Sequence, residues 1–270
     1  MIRFLSFSSG SCGNCYLLLR EHPGEALSGV LIDAGVSIRR MKKILEGMSL
    51  DFNCFQSVLV THDHGDHIRN LGSVCKRLSK PVYTTSVLHE ALSRHPFTRL
   101  EIGPCRRDLL SGQWNRVAEG FEAQFFVVPH DATQTLGYAL RVDGHLFVLM
   151  TDLGHVTPEA LAWASRADTG VVEANFDVDM LLGGDYPHEL KMRICQGYGH
   201  LSNDACCDAI RQFLHPGLKN LFLCHLSGNN NTPRRAYEQA AATLASCGVE
   251  PGTLHLRVLE RGIPSPLLYL

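Results

Sequence analysis

The sequence predicts a mixed α/β fold. Short apolar runs of strand length recur along the chain, and segments with helical apolar periodicity separate them. No low-complexity segment, charge block or internal repeat interrupts this alternation. The chain has 270 residues, 45% of them hydrophobic, which is enough to bury a large core. We therefore expect one domain spanning residues 1–270.

The first elements are predicted to be strands joined by Gly-rich turns, at residues 2–7, 15–19 and 30–33. Asp33 closes the third of these strands. Ser37 is then a suitable helix N-cap, and the apolar residues after it recur on one helical face. Residues 57–60 form the next predicted strand, and a helix is expected to begin near His67. The segment between them is a strand-to-helix loop.

The second half of the chain continues the alternation, with strands predicted at residues 121–128, 136–142, 146–150, 171–174 and 221–224. Thr157 and Pro158 have the order of an N-cap and a first helical residue. His130, Asp152 and His225 each fall just beyond a predicted strand. A rigid sheet can aim side chains at such positions into one cleft.

The strongest chemical signal is the run Thr-His-Asp-His-Gly-Asp-His at residues 61–67. In an H-x-H pair on a loop, the rings of His62 and His64 can reach one ion, while Asp66 and His67 turn toward a second. A solvated polar loop is the alternative, but this loop follows an apolar strand and has ligand partners elsewhere. The spacing predicts a site for two divalent metal ions. Zn²⁺ suits these ligands, and Mn²⁺ and Fe²⁺ stay open.

The pattern H-x-H-x-D-H resembles the signature of the metallo-β-lactamase superfamily, whose later motifs supply a His, an Asp and a last His. Residues 128–131, 150–154 and 223–227 match those motifs in order. Asp33 resembles the carboxylate of the family's first motif, which orients the metal loop. The resemblance implies an αββα sandwich in which two mixed β-sheets are flanked by helices.

The resemblance also implies a role for each ligand. His62, His64 and His130 would hold the first ion, and Asp66, His67 and His225 the second. Asp152 would bridge the two ions, with a hydroxide between them as the nucleophile. Because Asp33 would orient the metal loop and Asp66 would bind the second ion, both are predicted to be catalytic residues.

Three further stretches, residues 8–16, 172–177 and 199–203, resemble the YycJ (WalJ) group of this superfamily. That group is associated with 5′-to-3′ DNA exonuclease activity, so the resemblance implies phosphodiester hydrolysis with nucleic acid, and specifically DNA, as the substrate. Cys12 stands where the group often has Ser. A thioesterase or other small-molecule hydrolase is the first alternative, and a non-enzymatic protein with structural metals is the second.

Four residues are candidates for binding the substrate or for catalysis. His200 is predicted to contact the scissile phosphate or donate a proton to the leaving oxygen, although it also suits a turn before a helix capped at residue 202 or 203. Glu173 could support His200 or a metal-bound histidine, or be a structural carboxylate. With Asn203 and Arg69, Glu173 is also a candidate substrate contact.

The formal charge of −2 indicates no general attraction to nucleic acid. Binding would then depend on local basic residues near the predicted site loops, at positions 39, 40, 42, 43, 69, 234 and 235. No stretch has the length of a membrane span, and the N-terminus lacks the apolar run of a signal peptide. The ten cysteines are expected to be mostly buried thiols. We expect a cytoplasmic protein, with no membrane partner and no indication of its oligomeric state.

Overall fold

The computed structural model describes residues 1–270 and contains fourteen strands and nine helices. The strands are β1 (Ile2–Ser8), β2 (Cys15–Arg20), β3 (Ser28–Ile32), β4 (Ser57–Leu59), β5 (Val82–Thr84), β6 (Arg106–Asp108), β7 (Asn115–Ala118), β8 (Phe121–Val128), β9 (Thr135–Val142), β10 (His145–Met150), β11 (Thr169–Glu173), β12 (Asn220–Cys224), β13 (His255–Val258) and β14 (Leu268–Tyr269). The helices are α1 (Ile38–Gly47), α2 (Gly65–Ile68), α3 (Leu71–Leu78), α4 (Ser86–Leu92), α5 (Pro158–Ala164), α6 (Val178–Gly183), α7 (His188–Cys195), α8 (Asn203–Phe213) and α9 (Pro233–Ser246).

The strands form two seven-stranded sheets. The first has the order β14-β1-β2-β3-β4-β5-β6, and the second has the order β13-β12-β11-β10-β9-β8-β7. In the first sheet, β1 to β3 are antiparallel and β3 to β6 are parallel. In the second, β7 to β10 are antiparallel and β10 to β13 are parallel. Both sheets are therefore mixed, which confirms the predicted αββα fold class.

The side chains of the central strands alternate between two cores. Phe4 of β1 faces the other sheet, where its ring stacks on Phe222 of β12 with 5.4 Å between the centroids. Its neighbours Leu5 and Phe7 face the helices that cover the first sheet, among them α1 and α3. A third core cluster packs α5, α8 and α9 on the second sheet. Strands buried on both faces explain why the sequence shows continuous apolar runs rather than alternation.

Four helices begin with side-chain caps, and the sequence analysis predicts the first three of them. Ser37, Thr157, Ser202 and Thr232 each accept a hydrogen bond from the backbone amide three residues ahead. No helix in the fold combines the length and apolar character that crossing a bilayer requires.

The helix expected near His67 differs from the prediction. It begins at Gly65 as the single turn α2, and the chain then breaks at Asn70 before α3. The break follows from the Asn70 backbone amide donating to Ala34 O and its side-chain amide donating to Gly35 O. Gly35 also lets the histidine loop pack closely against it, because a Cβ at this position would lie 1.7 Å from the carbonyl oxygen of Asp66. The metal loop is thereby fixed against the end of β3.

Candidate active site

The candidate metal ligands meet at one edge of the sandwich, because each follows the end of a strand in the two sheets. The histidine loop follows β4, and His130, Asp152 and His225 follow β8, β10 and β12. Four overlapping groups of side chains there are each able to hold a metal ion, with all ligand atoms of a group within 4.8 Å of one another. All seven ligands expected from the sequence occur in these groups.

Three residues at this edge have left-handed backbone conformations. The φ angles of Asp33, Asp152 and His225 are 61°, 55° and 55°. Non-glycine residues adopt this region at a cost, and such strain concentrates at functional sites. At each of these residues, the left-handed conformation lets the chain turn sharply as it leaves its strand.

The first group consists of His62, His64 and His130. His130 bonds through Nδ1 to Gly199 O at 2.8 Å, and its Nε2 lies 3.3 Å from His64 Nδ1. His62 Nε2 is fully buried and has no hydrogen-bond partner. A buried nitrogen without a partner is costly unless another ligand satisfies it. Three imidazoles converging on one point fit a divalent metal ion.

The second group consists of Asp66, His67 and His225. The Nδ1 atoms of the two rings are held from outside, by Asp33 Oδ2 at 2.7 Å for His67 and by Glu173 Oε1 at 3.0 Å for His225. Both Nε2 atoms therefore face inward, and that of His225 is buried without a hydrogen-bond partner. A carboxylate behind an imidazole is the usual arrangement that orients a metal ligand.

Asp152 lies between the two groups. Its Oδ1 is 3.7 Å from His130 Nε2 in the first group and 3.4 Å from His225 Nε2 in the second. Its Oδ2 is 3.2 Å from His67 Nε2 and accepts a hydrogen bond from the Thr151 hydroxyl.

The carboxylates set the protonation of the cluster. Burial opposes charge on His67 and His225, but nearby carboxylates, Asp152 foremost, outweigh it and raise the pKa of His67 well above its usual value and that of His225 to about 10. Burial likewise opposes the charge of Asp152, yet His225 and His67 hold its pKa well below its usual range. Burial lowers the pKa of His62, which stays neutral. Protons and metal ions thus compete for the second group.

Asp33 occupies the orienting position that the resemblance implies. It is fully buried and accepts hydrogen bonds from the backbone amide and hydroxyl of Thr61, at 2.8 Å each, in addition to that from His67. Thr61 opens the metal loop. This carboxylate therefore fixes both ends of the loop's ligand run.

His200 lies at the edge of the cluster. Its ring centroid is 5.0 Å from that of His130 and 5.2 Å from that of His225. Nδ1 is 2.7 Å from Glu173 Oε1, and Glu173 raises the pKa of His200 against the effect of burial. The side chain retains 24% exposure and lines the cleft. A protonated imidazole that faces the cleft can hydrogen-bond to an anionic substrate.

None of the three candidate substrate contacts lines the cleft, although Glu173 supports His200 and His225 as the sequence analysis also considered. Glu173 is fully buried, and its Oε2 accepts hydrogen bonds from the backbone amides of Leu153 and Leu201. The carboxylate therefore does not face the substrate. Asn203 is buried, and its amide pairs with Asn231. Arg69 is exposed after α2 and does not line the cleft. These positions do not favour the predicted contacts.

The structure adds residues that the sequence analysis did not single out. The side-chain amide nitrogen of Asn14 lies 2.8 Å from His67 Nε2 and donates to Asp66 Oδ2 at 3.2 Å. Asn175 donates to the backbone carbonyl of His225 at 2.7 Å. Both fall in the stretches that carry the family resemblance, and those stretches were the available signal. Asp131, the last residue of the 128–131 stretch, forms an ion pair at the mouth of the site with Arg193, which belongs to none of the stretches.

The cluster opens into a cleft of about 240 Å³. One wall comes from the loops that carry His64, His130 and His225, and the other from α7 and the loop before His200. Imidazoles, one carboxylate and one guanidinium dominate the polar lining.

The fold and this site together define a metal-dependent hydrolase of the β-lactamase superfamily. The family model described as the β-lactamase superfamily domain matches residues 29–225, and the chain belongs to that family. The matched segment runs from β3 to the last candidate ligand.

Among its relatives, the chain is 29% identical to an exodeoxyribonuclease YycJ of Bacillus anthracis over 270 residues, covering all of this chain and 99% of the relative. It is 27% identical to the exodeoxyribonuclease WalJ of Streptococcus pneumoniae over 250 residues, covering 93% and 91%. In fold it is similar to the metallo-β-lactamase fold protein YhfI of Bacillus subtilis, with a TM-score of 0.70, 15% identity and coverage of 98% and 100%. The short form of human tRNase Z has a TM-score of 0.60, 13% identity and full coverage of both chains.

Proposed function

We propose that this protein is a dinuclear phosphodiesterase that degrades DNA as a 5′-to-3′ exonuclease. The observation that carries the proposal is the position of Asp152 between two groups of ligands, each with its own set of inward-facing imidazoles. One closed structural ion would leave half of these side chains without a use. The names of the two curated relatives support DNA as the substrate.

The residues fit the ions that the family implies. His62, His64 and His130 would hold one ion, Asp66, His67 and His225 the other, and Asp152 both. The orphaned Nε2 atoms of His62 and His225 support this assignment. Mixed imidazole and carboxylate ligands suit Zn²⁺ or Mn²⁺, with Fe²⁺ as a further alternative. When bound, such ions supply the Lewis acidity that activates water and neutralises a phosphate.

The protein's own residues then position and protonate. Asp33 and Glu173 hold the rings of His67 and His225 in the tautomer that presents Nε2 inward. Asn14 fixes Asp66 beside His67. His200, held at Nδ1 by Glu173, presents Nε2 to the cleft, where it donates a hydrogen bond to the phosphate or a proton to the leaving oxygen.

We also propose a cytoplasmic location, which the ten free thiols support, since reducing compartments keep cysteines unpaired. A single domain over residues 1–270 is supported by the core cluster between the sheets, which joins residues of both halves of the chain.

The test measures metal content and hydrolysis of 5′-labelled single- and double-stranded DNA and RNA, with Zn²⁺ or Mn²⁺ added. A His62→Ala, His64→Ala double variant is the control. Metal-dependent shortening of DNA from the 5′ end, absent in the control, supports the proposal. Two bound ions with turnover of thioesters but no cleavage of nucleic acid would instead establish the alternative small-molecule hydrolase, which the small cleft volume also accommodates.

A further inference from the structure

Helix α7 covers the cleft without being anchored in the core. None of its eight residues is buried, yet Leu190, Arg193 and Ile194 line the cleft. Its attachments are polar: Lys191 Nζ donates to the carbonyls of Leu182 and Gly184. Few buried apolar contacts therefore hold this helix in place, and its side chains can rearrange at low cost.

Arg193 is the only arginine or lysine that lines the cleft. Its Nε donates to Asp131 Oδ2 at 2.6 Å, and its Nη2 also bonds to that oxygen. The other oxygen of Asp131 lies 3.5 Å from His130 Nε2 and 3.9 Å from His64 Nε2. The carboxylate thus stands between the guanidinium and the first group of candidate ligands, at the place where an anionic substrate would enter.

The basic residues that the sequence analysis considered lie outside the cleft, and several of them are paired elsewhere. Arg234 pairs with Glu238, Arg235 with Asp177, and Arg40 bonds to the carbonyl of Gly262. None of them lines the cleft. Arg193 is therefore the cation best placed to meet the phosphates of a strand whose scissile bond lies at the metal site.

We propose that Arg193 binds a backbone phosphate next to the scissile one, exchanging the Asp131 carboxylate for the phosphodiester when the strand enters. This inference rests on the proposed nuclease function. A guanidinium can bind a phosphate with two parallel hydrogen bonds, and the two nitrogens that would donate them, Nε and Nη2, both point at Asp131 Oδ2 here. The side chains of Arg193 and Asp131 are 65% and 28% exposed, so the existing ion pair is weak and its exchange costs little.

Arg193 could instead have a structural role, because α7 is joined by hydrogen bonds to the loop that carries His200. The carbonyl of Ile194 accepts a hydrogen bond from the backbone amide of His200, and Gly199 O bonds to His130. Loss of Arg193 could therefore act by moving His200. Such a change would slow every substrate, whereas loss of a phosphate contact affects only substrates with a second phosphate.

The experiment compares Arg193→Ala and Arg193→Lys with Arg116→Ala, a matched control that removes an exposed arginine from a surface ion pair on β7. Steady-state kinetics are measured on a DNA oligonucleotide and on bis(p-nitrophenyl) phosphate, which has a single phosphodiester. We expect Arg193→Ala to raise KM for DNA about tenfold with kcat within about twofold, and to lower the slope of log KM against log salt by about one. Its turnover of the small ester is expected to equal that of Arg116→Ala, and Arg193→Lys to recover part of the loss.

Equal fractional losses on DNA and on the small ester would overturn the proposal in favour of a structural role. An unchanged KM and salt slope for DNA would overturn it as well. Asp131→Asn adds a second criterion, because freeing Arg193 from the ion pair should lower KM for DNA. If Arg193→Ala, Asp131→Asn and the double variant all had the same defect, Arg193 would act only by holding Asp131. If the wild-type protein hydrolyses the ester but not DNA, the nuclease function itself fails, and this inference with it.

Discussion

Glu173 connects His200 to His225 through a single carboxylate oxygen, Oε1, which lies 2.7 Å from one Nδ1 and 3.0 Å from the other. The second oxygen accepts the backbone amides of Leu153 and Leu201. One buried side chain thereby orients a candidate metal ligand and the candidate proton donor together. Because its four partners are all donors, only an ionised carboxylate satisfies them.

Replacement of this carboxylate is therefore expected to damage both functions. In Glu173→Gln, the side-chain NH2 group would face either the imidazoles or the two backbone amides. Two buried hydrogen-bond donors would then point at each other with no acceptor between them. We expect a stability loss of about 1–3 kcal/mol, weaker metal binding and little hydrolysis. Thermal unfolding and metal counting check this result, with the exposed substitution Glu159→Gln as the control. Full metal content and unchanged activity in Glu173→Gln would contradict the assignment.

Removing a candidate metal ligand and removing the candidate proton donor are expected to have different effects on metal content. His64→Ala is expected to lose metal and hydrolysis while the core stays folded, because His64 lies at the rim of the cleft rather than in a core cluster. His200→Ala is expected to keep its metal and to slow turnover about 10²-fold or more, as loss of a general acid does. Metal analysis and circular dichroism on both variants test the distinction. Loss of metal from the His200 variant would refute its assignment.

The metal-free and metal-loaded proteins should respond to pH in opposite ways. His225 has a folded pKa of about 10, above the unfolded value of about 6.5, and the pKa of His67 is also raised. The folded state therefore retains protons that the unfolded state releases. The resulting stabilisation is complete below about pH 6.5 and is lost as pH rises toward 10, at up to ~1.4 kcal/mol per pH unit for each group.

We accordingly expect the metal-free protein to unfold at a lower temperature at pH 8.5 than at pH 6.5. Metal affinity should rise over the same interval, because fewer protons then have to be displaced from the second group. Unfolding temperatures of chelator-treated and metal-loaded samples at the two pH values provide the measurement. A metal-free protein that gains stability with pH in this window would show that the two rings are neutral.

Close packing around the loop that carries His200 predicts an effect of a single added methyl group. A Cβ at Gly199 would lie 2.3 Å from Ile194 O and 2.4 Å from Arg193 O, so Gly199→Ala must displace α7 or the loop that carries His200. We expect a fall in kcat and little loss of the global fold. Gly47→Ala is the matched control, because nothing lies within 4 Å of its added Cβ at the end of α1. Kinetics and thermal unfolding of both variants decide the point, and equal activities would mean that the loop adjusts freely.

The sequence by itself determined the fold class, the helix caps and the seven candidate ligands. These features depend on local rules: apolar periodicity reports strands and helices, a hydroxyl residue caps the turn that follows it, and the motifs occur at the ends of strands. The single turn α2 departed from the prediction because Asn70 bonds to a loop about 35 residues earlier, which no local pattern reports.

Only the tertiary structure decided how the site is supported and how it opens. Asn14 meets Asp66 and His67 across more than fifty residues of sequence, and Glu173 bonds to residues 27 and 52 positions away. Arg234 and Arg235 turned out to pair with carboxylates outside the cleft, while Arg193, which belongs to no motif, lines the cleft. Hydrogen bonds and ion pairs depend on distances of a few ångströms between loops that the sheets bring together, and sequence separation carries no record of those distances.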